Sequence, residues 1–178
     1  MHIDSTNIYA FPYFEEKRML NTSIRKLTPE DAPWVHVFWI EHWGSDLMVV
    51  HGQTFTSSGL PGFVVEENGQ VLGLATYRIE NDECELMSID SLIEGQGIGS
   101  QLLEAVIATA RQAGLRRLYL STSNDNMNAM RFYQKRGFRF CALRPGAVTE
   151  TRRLKPAIPL VGFNSIPIRD ELELELFL

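Results

Sequence analysis

The 178-residue sequence predicts an α+β domain, and three observations lead to that class. Residues 63–67, 71–79 and 84–92 are apolar, β-branched runs separated by turn signals, which is typical of successive strands. Residues 98–113 carry apolar side chains at helical spacing and stop before Gly114. No internal repeat or linker divides this series of strands and helices. The chain is therefore interpreted as one domain.

The N-terminal part begins with an arm. Residues 1–22 show no clear period and are interpreted as a loosely attached segment. A short strand is predicted at 23–27, and Thr28-Pro29 then begins a helix, with threonine as N-cap and proline in the first turn. The helix is expected to end at Gly44. Residues 45–62 are rich in Gly, Ser and Thr, which predicts an irregular segment or a short second helix.

The C-terminal half continues the alternation of strands and helices. The predicted elements are a strand at 118–121, a helix at 126–136 and a strand at 138–143. Residues 144–168 are rich in Pro and Gly and predict a long loop. Residues 171–178 alternate Glu and Leu, which indicates a half-buried strand whose glutamates discourage edge pairing with another molecule. The domain is assigned to 23–178, with its core in 23–143.

Composition excludes several classes of protein. The formal charge is −5, from 17 basic and 22 acidic residues, which argues against a nucleic-acid partner. Cys84 and Cys141 are too few for a disulfide framework or a metal cluster. The first residues lack the apolar region of a signal peptide, and no stretch approaches the length of a membrane span. We expect a soluble cytoplasmic protein with no metal and no membrane partner.

A glycine-rich turn connects the strand 84–92 to the helix 98–113. Its sequence is Glu94-Gly95-Gln96-Gly97-Ile98-Gly99. Glycines let the backbone approach a ligand, and a helix N-terminus offers unpaired N–H groups to a phosphate. A tight turn with no ligand fits the same residues. No lysine follows in the manner of a Walker loop, and a dinucleotide fingerprint would place Ser100 at its third glycine.

A second motif accompanies the turn. Asn126-Met127-Asn128-Ala129-Met130-Arg131-Phe132-Tyr133 is followed by Gly137-Phe138. The pair of motifs, separated by a helix and a strand, resembles the GNAT family (GCN5-related N-acetyltransferases), whose turn reads Gln/Arg-x-x-Gly-x-Gly/Ala. The resemblance covers about residues 23–143. It departs from the family pattern at Glu94, a carboxylate that a pyrophosphate would repel.

The resemblance implies a fold and an activity. The expected fold is a mixed, mostly antiparallel, twisted sheet of about six or seven strands flanked by helices. The expected reaction moves an acetyl group directly from acetyl-CoA, the cosubstrate, to a primary amine of a small molecule or a protein, with no metal. A catalytically degenerate acyl-CoA-binding module of the same fold is the alternative. A homodimer, supported by the last strand and the long loop, is a further expectation.

The resemblance also implies site residues. Tyr133 matches the family tyrosine that gives a proton to the departing thiolate. The backbone N–H of Ile89 is expected to polarise the thioester carbonyl, and Asn126 either contacts the pantetheine arm or caps its helix. The residues expected at the pyrophosphate are Glu94, Gly95, Gln96, Gly97, Ile98, Gly99 and Ser100.

The general base is selected from several candidates. Glu83 and Glu85 share one face of their strand by the two-residue period, and Glu85 is preferred because it lies deeper in the strand. The alternatives are His36, His42 and His51.

Two further sets of residues have open roles. The first is an aromatic stripe at helical spacing, which forms either part of the core or part of the acceptor pocket: Trp34, Phe38, Trp39 and Trp43. The second is a basic cluster of Arg152, Arg153 and Lys155. This cluster binds the 3′-phosphate of coenzyme A, binds an acidic acceptor, or is a solvated run of charges.

Overall fold

The computed structural model describes residues 20–50, 52–57 and 59–178. The strands are β1 (Ser23–Lys26), β2 (Leu47–Val50), β3 (Gln53–Thr56), β4 (Gly62–Glu67), β5 (Gln70–Glu80), β6 (Glu83–Ser91), β7 (Arg117–Ser123), β8 (Arg139–Arg144) and β9 (Glu171–Phe177). The α-helices are α1 (Ala32–Trp43), α2 (Ile98–Gln112), α3 (Met127–Gln134) and α4 (Ala147–Leu154). Two short 3-10 helices, Pro29–Asp31 and Phe163–Ser165, complete the regular structure of these residues.

Seven of the strands form one sheet in the order β1-β4-β5-β6-β7-β9-β8. Neighbouring strands in this sheet are antiparallel, except β6 and β7, which are parallel. The connection between the parallel strands contains α2, because parallel strands need a crossover. Strands β2 and β3 form a separate hairpin. The predicted mixed, mostly antiparallel α+β fold is confirmed.

Both faces of the sheet are covered by apolar packing. Helix α2 buries Leu102, Leu103 and Val106 against one face, where Tyr133 of α3 also packs. Helix α1 buries Phe38 and Trp39 against Leu74 on the other face. The core therefore has two layers, and the sheet lies between them.

The start of α1 is stabilised by Asp31. Its carboxylate accepts the backbone N–H of Thr28 at 2.7 Å and the indole N–H of Trp34 at 2.7 Å, and it forms an ion pair with Arg25. The predicted N-terminal signal is therefore correct, although the first turn is a 3-10 turn that precedes the α-helix. Gly44 ends α1 with a left-handed conformation, as predicted.

Two predictions of irregular structure are wrong. Residues 45–62 contain the hairpin β2–β3, with the start of β4 at their end, because Met48 and Val50 turn toward apolar neighbours that the local sequence does not reveal. Residues 144–168 contain α4, which Gly146 caps with a left-handed conformation. The predicted arm, with its aromatic residues, lies outside the described residues up to position 19.

The last strand also differs from its prediction. Strand β9 lies between β7 and β8, so its glutamates do not protect a free edge. Its three glutamates, Glu171, Glu173 and Glu175, are buried. They form ion pairs with Arg117 and Arg144 of the two neighbouring strands. Because both sides of β9 are occupied, this strand cannot pair with a second copy of the chain through its backbone. Among the described residues, no helix is long and apolar enough to cross a membrane.

Candidate active site

A cavity of about 600 Å³ lies between the end of β6, the glycine-rich turn and α3, and we call it the glycine-turn cavity. Its lining residues are Ile89, Ser91, Glu94, Gly95, Gly97, Ile98, Gly99, Ser100, Asn128, Ala129, Phe132, Tyr133 and Arg136. The two motifs found in the sequence therefore line one cavity. Gln96, although part of the turn, is not among these lining residues.

The turn has the backbone conformation that phosphate binding requires. Gly95 and Gly97 have φ values of 70° and 81°, which favour glycine over residues with a Cβ. Gly97 is the N-cap of α2, a helix of 15 residues, and its carbonyl accepts the first main-chain bond from Gln101 at 3.0 Å. The first N–H groups of α2 consequently have no partner within the helix and carry its positive dipole end.

Arg136 adds a cation to the same cavity, and the sequence analysis did not identify it. Its guanidinium donates to Ser100 Oγ and to the Phe132 carbonyl at 2.8 Å, and lies 3.6 Å from the centre of the Phe132 ring. In the helix that the sequence predicts over 126–136, Phe132 and Arg136 are four residues apart, so the spacing could have indicated their contact. In the structure α3 ends at Gln134, and Arg136 lies in the turn that follows it. Arg136 therefore places a positive charge at the first turn of α2.

Tyr133 is buried within the wall of this cavity. Its side chain is 5% exposed and packs against Phe132 and Phe138, with ring centroids 5.1 Å and 5.4 Å away. Burial, and then the negative charge of Asp90, raise the pKa of Tyr133 above the usual range, and Arg136 opposes them. The phenol therefore stays protonated at neutral pH, as a proton donor must.

A second cavity, of about 330 Å³, lies beside α4, and we call it the α4 cavity. Its walls come from the end of α1, from β2, from the middle of β6, from the end of β7 and from the segment that follows α4. The lining is mostly apolar, with Met48, Met87 and Ile158 among its residues, and it includes the carboxylates of Glu85 and Glu171. The sequence contains no motif for this cavity, because its walls come from distant segments.

The two cavities adjoin along β6 and the start of α3. Strand β6 gives Glu85, Leu86 and Met87 to the α4 cavity, and Ile89 and Ser91 to the glycine-turn cavity. In the part of the chain that the structure describes, the pairing of β6 with β7 stops after Glu85–Tyr119, although both strands continue. The ladder between the parallel strands therefore ends at the part of β6 from which both cavities take lining residues.

Glu85, the predicted base, is 2% exposed and held by two partners. Its Oε2 accepts a hydrogen bond from Arg78 at 2.7 Å, in an ion pair, and from the Tyr119 hydroxyl at 3.3 Å. The carboxylate of Glu85 is therefore fixed in place by an arginine of the neighbouring strand β5. Glu83, on the same face, pairs with Arg117 at 2.8 Å.

Two of the predicted histidine alternatives, His36 and His42, lie on α1. His36 is exposed and lies 3.5 Å from Asp46, and the His42 ring packs on Phe38 with centroids 4.2 Å apart. His51 lies outside the described residues. Of the aromatic stripe, Phe38 and Trp39 belong to the core, whereas Trp43 lines the α4 cavity. The stripe therefore contributes both to the core and to a cavity wall.

The basic cluster of α4 does not line the glycine-turn cavity. Arg152 donates to the carbonyls of Ile158, Pro159 and Ile168, and Lys155 donates to the carbonyls of Trp43 and Leu47 at 3.0 Å. Arg153 is exposed and pairs with Glu150. The interpretation as a solvated charge run is therefore wrong for Arg152 and Lys155, because both fasten α4 to neighbouring segments.

Asn126 and Glu94 were the uncertain members of the predicted cofactor set. The Asn126 side chain accepts the N–H of Ala129 at 3.1 Å, so it caps α3, and the residue lines the α4 cavity. Its predicted cofactor contact stays a prediction. Glu94 is exposed at the rim of the glycine-turn cavity.

The fold and the site define an α+β protein with an anion-binding turn at the N-terminus of its crossover helix. The model of the Acetyltransferase (GNAT) family matches residues 22–138, and the chain belongs to this family. Uncharacterized protein YdhI of Bacillus subtilis (strain 168) is 47% identical over 136 residues, which cover 76% of this chain and 85% of that protein.

Two further comparisons concern a relative in sequence and a solved structure of similar fold. The spermine/spermidine N(1)-acetyltransferase of Bacillus subtilis (strain 168) is 34% identical over 83 residues, which cover 40% of this chain and 55% of that protein. The crystal structure of a GNAT family acetyltransferase from Elizabethkingia anophelis with acetyl-CoA bound shares the fold with a TM-score of 0.63 at 21% identity. That match covers 89% of this chain and 99% of that chain.

Proposed function

We propose that this protein transfers an acetyl group from acetyl-CoA directly to a primary amine of a small molecule or a protein. The observation that carries the proposal is the position of Tyr133, which is buried in the wall of the same cavity that the glycine-rich turn lines. A related structure binds acetyl-CoA, and this chain has the turn and the helix N-terminus that such a ligand needs.

In this proposal the glycine-turn cavity holds the pyrophosphate and the α4 cavity receives the amine. The N–H groups at the start of α2 and the guanidinium of Arg136 bind the phosphates, and Ile89 N–H polarises the thioester carbonyl. The amine nitrogen attacks the carbonyl carbon, a C–N bond forms, and the C–S bond breaks. Tyr133 gives its proton to the departing thiolate.

The amine must lose a proton before it attacks. An alkyl ammonium has a pKa of about 10, so a base has to assist at neutral pH. Two carboxylates of β6 lie close to the junction of the cavities. One is Glu85, which the sequence favours, and the other is Asp90, which neighbours Ile89.

The test is a screen for free CoA release. Purified protein is mixed with acetyl-CoA and one amine at a time: spermine, spermidine, short alkyl amines, and peptides with a free N-terminus or a free lysine. A thiol reagent detects CoA, and mass spectrometry detects an added acetyl group. We expect acetylation of at least one amine, and spermine is included because a relative acts on it.

Calorimetry with acetyl-CoA accompanies the screen. Binding of acetyl-CoA without acetylation of any amine would favour the degenerate acyl-CoA-binding module, which Glu94 at the cavity rim supports. Lack of acetyl-CoA binding would contradict both functions. The two measurements together separate an enzyme from a binding module.

A further inference from the structure

Asp90 occupies the penultimate position of β6 and, although it is not itself among the lining residues of either cavity, it is connected to both of them. Its neighbours in the chain, Ile89 and Ser91, both line the glycine-turn cavity. Its carboxylate Oδ2 accepts a hydrogen bond at 3.1 Å from the indole N–H of Trp43, which lines the α4 cavity. Asp90 therefore links the wall of one cavity to the wall of the other.

An irregularity in β6 directs the Asp90 side chain to this place. Thr76 of β5 pairs with Ser88, and Tyr77 pairs with Leu86, so Met87 is an extra residue in β6. A bulge of this kind reverses the alternation of side chains beyond it. Asp90 consequently shares a face with Glu85, although strict alternation would place it on the opposite face.

The placement of Asp90 on this face is supported by its pairing partner. Asp90 pairs with Leu74, whose side chain packs against α1. Trp43 is the last residue of the same helix. By contrast, Cys84 and Leu86 belong to the core cluster on the α2 side of the sheet. The side of the sheet that α1 covers is thus the side that carries Asp90.

The surroundings of Asp90 are poor in stabilising charge. Burial raises its pKa to about 6, and the indole of Trp43 and the imidazole of His42 lower it to a smaller degree. Among the titratable groups of the described residues, His42 of α1 lowers the pKa of Asp90 through its charge. The charge of Asp90 in turn raises the pKa of Tyr133 of α3. The Asp90 carboxylate therefore keeps more proton affinity than an ordinary aspartate, whereas Glu85 is paired with Arg78.

We infer that Asp90 is the group that takes the proton from the acceptor amine. The inference rests on the proposed function. In the step, one ammonium proton of the amine moves to a carboxylate oxygen of Asp90, and the nitrogen keeps the electron pair that forms the C–N bond. The C–S bond breaks, and the thiolate of CoA leaves and takes the Tyr133 proton. The nitrogen, which is positively charged after the attack, gives its second proton to the Tyr133 phenolate, so that the products are a neutral amide and the thiol of CoA. Trp43 positions the Asp90 carboxylate by its indole N–H bond.

The assignment gives different roles to the two carboxylates of β6. Asp90 accepts the proton, and Glu85 fixes Arg78 and Tyr119 at the end of the paired part of β6 and β7. A general base works best when its pKa is near the working pH, because much of it is then deprotonated and it still binds a proton strongly enough. Asp90 meets this condition, and its carboxylate has no arginine among the described groups that shift its pKa.

The first experiment measures the titration of Asp90 without any acceptor. The sequence contains three tryptophans, so the indole ¹H–¹⁵N spectrum has few signals, and Trp43→Phe assigns one of them. We expect the Trp43 signal to titrate with a midpoint near pH 6 and to lose this transition in Asp90→Asn. A Trp43 signal that stays unchanged between pH 4.5 and 8 in the wild-type protein would overturn the assignment.

The second experiment uses kinetics with an amine that the screen identifies. Asp90→Asn is expected to lower kcat/KM about 100-fold and to remove the acidic limb of the pH profile, with acetyl-CoA affinity retained. Asp82→Asn, the same change in an exposed turn residue with φ of 61°, is the matched control and should keep the wild-type rate. A full rate with an unmoved acidic limb in Asp90→Asn would contradict the inference.

A third variant tests the role of Trp43. Its indole N–H stabilises the ionised carboxylate, so Trp43→Phe should raise the pKa of Asp90 and move the acidic limb of kcat/KM to higher pH. An acidic limb that does not move, or that moves to lower pH, would contradict the positioning role. If no amine is acetylated by the wild-type protein, the proposed function fails, and the indole titration still decides whether Asp90 has the expected proton affinity.

Discussion

The two cavities of this molecule are built in different ways. Two short stretches of chain, 89–100 and 128–136, provide the lining of the glycine-turn cavity. The α4 cavity takes its lining from α1, β2, β6, β7, α3, α4 and β9, and from the segment between α4 and β9. A ligand bound by main-chain groups needs a local conformation, which a motif can specify. A pocket made of side chains from distant segments needs the whole fold.

The charges of the two cavities differ as well. The glycine-turn cavity has the helix N-terminus and Arg136, with Glu94 at the rim. In the α4 cavity, both carboxylates have an arginine partner, Arg78 for Glu85 and Arg144 for Glu171. We therefore expect cofactor affinity to respond strongly to single charges, and acceptor affinity to respond mainly to the shape of the walls.

The largest effect is expected from Tyr133→Phe, which removes the proposed proton donor and preserves the packing of the ring. Turnover should fall about 100-fold while the Kd of acetyl-CoA changes less than about twofold. Rapid-quench kinetics and calorimetry measure the two quantities. Tyr77→Phe, a change in another buried tyrosine that lines neither cavity, is the control. Full turnover of the Tyr133 variant, with chemistry rate-limiting, would show that the proton comes from elsewhere.

A smaller effect, limited to the cofactor, is expected from Arg136→Ala. Loss of the cation beside Ser100 should raise the Kd of acetyl-CoA about tenfold, because hydrogen bonds to charged groups contribute about 1.5–3 kcal/mol. The loss should shrink as salt is added. Lys135→Ala removes an exposed cation from the adjacent position and should leave Kd nearly unchanged. Equal effects of the two variants would mean that general charge, and not the cavity, attracts the ligand.

The α4 cavity is tested by Lys155→Met. Lys155 is partly buried, and burial lowers its pKa. Its ammonium group donates hydrogen bonds to the carbonyls of Trp43 and Leu47, and these bonds hold α4 against the α1–β2 segment. Without these bonds the acceptor KM should rise about fivefold, which corresponds to about 1 kcal/mol. The Kd of acetyl-CoA should not change. Arg153→Met on the exposed side of α4 is the control. An altered acetyl-CoA affinity in Lys155→Met would mean that the two cavities do not bind their ligands independently.

The smallest effect is expected from Glu94→Gln. Removal of the exposed carboxylate at the rim should lower the Kd of acetyl-CoA about two- to threefold, opposite in sign to the Arg136 variant. The improvement should disappear at high salt, because exposed charges are screened. Glu104→Gln, an exposed site further along α2, serves for comparison. Weaker binding by the Glu94 variant would show that this side chain contacts the ligand.

Much of the sheet and of the glycine-turn cavity was predictable from the sequence. Turn signals at Asn68-Gly69 and Asn81-Asp82 define β4, β5 and β6, and these positions have positive φ in the structure. Hairpin β2–β3 and helix α4 were missed because they are short and lie in segments whose Gly, Ser, Thr and Pro content favours irregular structure. Their structure depends on packing against the rest of the molecule.

The base was the hardest assignment for the sequence. Alternation along β6 favours Glu85 and excludes Asp90 from its face, and nothing in the local sequence marks Met87 as an extra residue. The pairing of Glu85 with Arg78 depends on contacts across strands, which the sequence pattern does not reveal. Arg136, in contrast, could have been found from its helical spacing to Phe132.

The position of β9 has a consequence for how the chain folds. Strand β9 lies between β7 and β8, yet it follows both in the sequence. During synthesis, β8 therefore emerges from the ribosome before the strand that joins it to the sheet. Over the same interval, the glutamates of β9 that pair with Arg117, Arg139 and Arg144 have not yet been made. The sheet can close only after residue 177 is made, so β8 joins the sheet later than the strands that precede it in the sequence.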